Sequence, residues 1–264
     1  MIAREHPGRG MGLLELMVAM AIFMLVCGAM FELLTVSQKK YSTETQLTAA
    51  YQDSRLAMDQ IVRDVDAAGY PPAALFSPLP TAHPSRYALF PVAWTPNYGV
   101  SDCQIGTCVI PGDYDLILET RINETDTYVS WIWYHLDTTK NILFRTVTRK
   151  NGGDPLAGLQ ASDKSTAFLM NVVNNPSDPT LVGQIKTEYP TLFPLGNAQP
   201  IFQYSCSTPG GIVPCATAGT YNAPRYIRDV DVTLIVQTPQ TDAQNQMIRL
   251  VELNGRGHVV NPDN

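Results

Sequence analysis

The chain has 264 residues, with 18 Lys and Arg against 24 Asp and Glu, giving a net charge of −6. A charged fraction of 16% lies below the roughly 25% of ordinary soluble domains, and 45% apolar content excludes a disordered chain. With no basic run, composition excludes a nucleic-acid-binding surface, and it equally excludes histone-like, collagen-like and polytopic membrane architectures.

A short polar leader, MIAREHPGRG, opens the chain, and from Met11 to Phe31 the only charge is Glu15. At about 1.5 Å per residue this run reaches roughly 30 Å as a helix, the thickness of a bilayer's hydrocarbon core. A secretory signal would need a shorter apolar run and a small-residue cleavage site. A lipoprotein signal would need a small residue before Cys27, where Val26 stands. A plain anchor leaves Glu15 unexplained, because an ionisable group inside a span costs about 2.5–3.5 kcal/mol. A cut after Gly10 would create an α-amino group at Met11, one helical turn from that carboxylate. Such a cation would neutralise Glu15 in its own helix or in a neighbouring one.

The run Arg9-Gly10-Met11-Gly12-Leu13-Leu14-Glu15-Leu16-Met17-Val18 resembles the class III signal of type IV pilins and pseudopilins. Met11 and Gly12 depart from the usual Phe and Ser or Thr at those positions. The resemblance implies cleavage between Gly10 and Met11 by a prepilin peptidase, N-methylation of Met11, and an assembly salt bridge at Glu15.

Beyond Phe31, Leu47, Tyr51, Met58, Ile61, Val62 and Val65 recur at helical steps, opposite Gln52, Asp53, Asp59, Arg63 and Asp64. No Pro occurs between Gly12 and Ala68, and Gly69-Tyr70-Pro71-Pro72 is a stop signal. One helix of about 57 residues, roughly 85 Å long, is expected, with Gly28 as a local weak point. The segment from Ser54 to Tyr70, with its Arg63-Asp64 pair, Ala67-Ala68 and Gly69-Tyr70, is similar to the stem end of PilW-type minor pilins and the related J-type pseudopilins.

Eight prolines between Pro71 and Pro111 predict loops. Strands are expected over 114–120, 127–136, 142–148, 201–205, 229–237 and 247–254, with a turn at Asp137-Thr138-Thr139-Lys140-Asn141 joining the second and third. Val230, Val232, Leu234 and Val236 face one way, Asp229, Asp231 and Thr233 the other, so one sheet face is expected to cover the stem. The stretch from Gly152-Gly153 through Pro155, Pro176 and Pro179 reads as loop. Trp94, Trp131 and Trp133 are expected in the core.

Cys27 falls in the apolar run and reads as an inert filler. The remaining cysteines form local pairs, Cys103/Cys108 and Cys206/Cys215, each among turn residues. Disulfides within the pairs are expected, a four-thiolate zinc site being the rival. Disulfides belong to an oxidising compartment. His6, His83, His135 and His258 lack ligand or triad spacing, and no catalytic motif appears. Asp113, Asp115 and Glu119 flank a strand and read as solvated surface rather than a calcium site. The expectation is therefore no enzyme, no metal and no cofactor.

The fold class expected is α+β: a long helix packed on an antiparallel sheet head with Pro-rich loops. The organisation is a leader (1–10), a stem helix (11–69, with 11–34 in the membrane) and a β-rich head (70–264). The resemblance implies a minor pilin, stored in the inner membrane with its amino terminus cytoplasmic and its head periplasmic, then moved into a pilus fibre at the cell surface. Its implied partners are prepilin peptidase, other pilin subunits and the inner membrane. A J-type pseudopilin of a type II secretion system, or an anchored periplasmic enzyme or binding module, are the rival readings.

Overall fold

The computed structural model describes residues 12–77, 85–161, 165–242 and 246–260. Helix α1 runs unbroken from Leu13 to Asp66, 54 residues, passing through Gly28 without interruption. It ends where expected: Gly69 adopts φ 84°, a left-handed conformation that suits glycine. The head fastens this end, since Gly69 N–H donates to Glu119 O at 2.8 Å and Thr120 Oγ1 donates to Ala67 O at 2.8 Å.

The head is antiparallel, as expected, and its strands form two sheets. The first has the order β1-β2-β3-β4-β5, from β1 (Val92–Ala93), β2 (Asp115–Thr120), β3 (Ser130–Asp137), β4 (Ile142–Arg149) and β5 (Ser165–Met170). In the second, β6 (Phe202–Thr208) lies between β7 (Gly211–Pro214) and β8 (Ile227–Gln237), and β9 (Leu250–His258) follows β8. The β3–β4 turn is held by Asp137, whose Oδ1 accepts from the Thr139 and Lys140 amides.

Two short helices, α2 (Pro155–Gln160) and α3 (Pro179–Glu188), stand where loop was expected. In each, the proline occupies the first helical turn behind an aspartate cap. Asp154 accepts from the Leu156 and Ala157 amides, and Asp178 from the Thr180 amide. Proline suits that position because its missing N–H would have had no helical partner.

One core joins the stem to both sheets. Ala57, Met58, Ile61 and Val65 of α1 meet Leu116, Leu118, Ile132 and Tyr134 from the first sheet and Val230, Val232, Leu234 and Val236 from the second. The alternation in β8 is the one expected, and its outward residues pair across the ladder with β9: Asp229 with His258, Asp231 with Arg256, Thr233 with Asn254. The back of the first sheet packs Ile117, Trp131 and Trp133 under Leu159 of α2, and the back of the second packs Ile235 under Leu181 and Ile185 of α3.

The helical stripe departs from expectation at two places. Tyr51 is 44% exposed, while Asp64, on the expected polar face, is buried. Ser54 is also fully buried, its hydroxyl returned to Ala50 O at 2.6 Å.

Where α1 crosses β9, the strand presents Gly255 and Gly257. A Cβ at 257 would fall 2.6 Å from Val65 Cβ, whereas one at 255 would meet the flexible Met58 side chain, with Sδ at 2.5 Å. Closeness of helix to sheet thus depends on the absence of a methyl group at 257. Gly257→Ala is expected to lower the stability of the full chain in detergent by about 1–3 kcal/mol, and Gly255→Ala by less, because methionine can swing aside. Denaturant midpoints, read by near-ultraviolet circular dichroism, check the order; a neutral Gly257→Ala contradicts the packing argument.

Candidate functional site

Among the described residues, nothing covers the amino-terminal half of α1. Leu13, Leu14, Met17, Phe23, Leu25, Phe31 and Leu33 are all well exposed. Contiguous apolar surface on this scale marks an interface with membrane or protein. By length and composition this helix is able to cross a membrane.

Glu15 lies at its foot, in the first turn. Its carboxylate accepts from the Gly12 amide at 3.1 Å, while Glu15 N–H donates to Gly12 O at 3.0 Å. The carboxylate therefore curls toward the start of the helix, where the unpaired amides favour negative charge by about 0.3–1 kcal/mol. Gly12 is bonded directly to Met11, so the acid rests one residue from the expected new terminus. Gly10 and Met11 themselves lie outside the described residues, as do His6 and His83.

Cys27 is a free thiol within this helix half. Cys103–Cys108 and Cys206–Cys215 are disulfide-bonded. The second joins β6 to the turn after β7 inside the core, with Cys206 and Cys215 both buried. His135 is stacked between Trp133 and Phe144 on the sheet, and His258 bonds Asp229 at 2.6 Å.

Two charge clusters at the stem–head junction escaped the sequence reading. Glu119, expected at the surface, is fully buried. Its carboxylate accepts from Trp131 Nε1 at 2.7 Å, Tyr98 Oη, the Leu89 amide at 2.8 Å and Lys150 Nζ at 2.8 Å. Lys150 is also buried, its ammonium lying over the Tyr87 and Tyr98 rings. Burial, followed by the nearby Glu119 charge, pushes the Tyr98 phenol up, which keeps it protonated as the donor. Asp64 is the second centre. It accepts from Arg145 Nη2 at 2.9 Å, Tyr134 Oη at 2.6 Å and Gln60 Nε2 at 2.8 Å. Burial and then the Asp64 carboxylate push the Tyr134 phenol well up, so it too stays a donor. The only sequence sign of either centre is a charged residue interrupting an apolar strand or a helix stripe.

In both clusters every carboxylate oxygen accepts from a donor within the chain. Glu119→Leu strands the Lys150 ammonium and the Tyr98 and Trp131 donors, and is expected to cost about 3–5 kcal/mol. Lys150→Met leaves the carboxylate with its three other donors and is expected to cost less. Urea unfolding of the two variants tests the order; an equal or reversed cost contradicts the assignment of Glu119 as the centre.

Residues 8–31 match the family model of the prokaryotic N-terminal methylation motif. Neither a curated protein sequence nor a solved structure matches the chain significantly. The chain thus carries a prepilin-type signal ahead of an apolar helix, an arrangement that supports a type IV pilin-like, membrane-anchored protein with prepilin peptidase among its partners.

Proposed function

We propose that this protein is a minor pilin of the PilW type, which works by assembly and not by turnover. Prepilin peptidase removes residues 1–10 and the new terminus at Met11 is methylated. The subunit waits in the inner membrane with its head on the periplasmic side, then enters a pilus near the tip and helps to initiate the fibre.

The observation that carries this reading is the Glu15 carboxylate bonded to the Gly12 amide at the foot of an uncovered apolar helix, inside the matched motif. Once the leader is gone, the freed amine of Met11 lies within a residue of that carboxylate. Its own helix or an adjacent one supplies the pair, and an otherwise costly charge in an apolar medium becomes a docking signal. The disulfides suit a periplasmic head, since such bonds persist in oxidising compartments. The bulk of the head supports a low-copy tip position over a repeated shaft. Satisfied carboxylates at Asp64 and Glu119 support a structural, non-enzymatic head.

Two measurements test the proposal together. Mass spectrometry of the protein from cells containing prepilin peptidase is expected to find a chain beginning at methylated Met11; a functional chain retaining Met1 overturns it. Glu15→Leu is expected to leave cleavage and membrane insertion intact and to abolish recovery of the subunit in sheared fibres. Unchanged incorporation of that variant also overturns the reading.

A further inference from the structure

Strand β5 closes the first sheet, and its outer edge pairs with no strand over Ser165–Met170 among the described residues. Its sequence, STAFLM, contains no charge, proline or glycine. Proteins ordinarily guard an exposed edge with Lys, Pro or an inward charge, because a bare row of backbone N–H and C=O groups is a template for another strand. The register shift in this region lies on the inner side, between Leu143 and Phe144 of β4.

The bare edge faces a groove. Between β5 and the stem runs an open cleft of about 700 Å³, walled by Asp53, Leu56, Asp59 and Arg63 of α1 and by Phe168 and Met170 of β5. Leu56 is 70% exposed and Met170 62%. At the far end, Gln237 also lines the groove, and its buried Oε1 has no hydrogen-bond donor among the described residues. The cleft therefore offers backbone hydrogen bonds on one wall, apolar contact along its length and an acceptor without a partner.

We propose that this edge is a strand-acceptor site, filled by an extended segment of a different polypeptide whose groove-facing residues are apolar with one Lys or Arg among them. Added strands lie about 4.8 Å from their neighbour, and six residues span about 20 Å, so one short segment matches the length of β5. The single positive charge of the occupant follows from the helix wall, where Asp53 and Asp59 outnumber Arg63 by one and form no ion pair among the described residues. A second copy of this chain is a poor donor: edge-to-edge pairing of two β5 strands would bring the same two acids toward their counterparts. That the donor is a neighbouring subunit rests on the assembly reading; the acceptor site itself does not.

The test uses the full chain in detergent micelles and a capped peptide, acetyl-Val-Thr-Lys-Thr-Val-Thr-amide, whose Val and Lys share one face. Two N-methylated versions block alternate amides, one for each possible register. The parent peptide is expected to slow amide exchange across residues 165–170. One N-methylated version is expected to bind about tenfold more weakly, as is the parent peptide with Met170→Glu. Replacing Lys by Glu in the peptide should weaken binding, and Asp53→Lys combined with Asp59→Lys should reverse that preference. No protection at millimolar peptide overturns the proposal, as does equal binding of both N-methylated peptides. Self-association through β5, abolished by Met170→Glu, overturns the choice of a different chain. Since leader cleavage and fibre recovery are read in cells, failure of the peptide leaves the assembly role standing.

Discussion

A single unbroken helix is stripped of protein along one half and buried against a head along the other, and that asymmetry governs the molecule. From Ala50 onward, α1 places Ala57, Ile61 and Val65 in a core shared with both sheets. From Leu13 to Val36 the large apolar side chains are exposed among the described residues. Apolar surface of this extent does not remain in water, at about 25 cal/mol per Å². The medium that covers it, lipid or the helices of other subunits, therefore completes a structure that the chain leaves half finished. Glu15 stands at the uncovered end, the one carboxylate between Met11 and Phe31, curled onto the Gly12 amide.

At the covered end, the contact between stem and head is close because it is built from small groups and from satisfied charges. Gly255 and Gly257 admit the Met58 and Val65 side chains into the plane of β9. Asp64 then reaches from the helix to Tyr134 and Arg145, on β3 and β4, and ties the stem to the first sheet as well. Glu119 braces the same sheet from behind while its own backbone carbonyl holds Gly69 at the helix end. Pairs of this kind contribute little net stability, since desolvation offsets much of their attraction. Their effect is geometric. Asp64 on the stem accepts from donors on β3 and β4, so a shift of the stem against the first sheet breaks those bonds.

Much of this was legible in the residues. The stem's length, its stop at Gly69, the β8 alternation and the central strands follow from periodicity and turn chemistry, which are local signals. What escaped detection is informative about why. Pro155 and Pro179 signal loop because proline ends helices; the same residues begin them where Asp154 and Asp178 cap the first turn. β5 is short, lacks turn residues and has only one strand neighbour, so nothing local distinguished STAFLM from loop. Division into two sheets is a matter of which strands meet in space, which no window of sequence contains. Glu119 and Asp64 were assigned to solvent by residue type, and only their partners, up to 81 positions away for Asp64 and Arg145, reverse that assignment. At the candidate site the balance is opposite. Glu15 was readable because a charge inside an apolar run has almost no structural explanation.

In the assembly reading, moving the uncovered helix half from lipid into a bundle of like helices gains little hydrophobic free energy, because lipid tails are as apolar as Leu or Phe. Whatever selects this subunit's place in a fibre must therefore come from groups that lipid cannot satisfy. Two such groups are proposed above: the carboxylate of Glu15 at the helix foot, and the edge of β5 with Asp53 and Asp59 of α1 across the groove. On that reading the first fixes axial register, since a salt bridge at the helix foot favours one stagger. The second is a feature of the head and not of the motif. Register without partner choice would build a fibre of any processed subunit, and partner choice without register would leave heads paired on misaligned stems. In the proposed tip position, where one particular neighbour must be met, both are needed, and on that proposal the foot of α1 would supply the first and the groove between α1 and β5 the second.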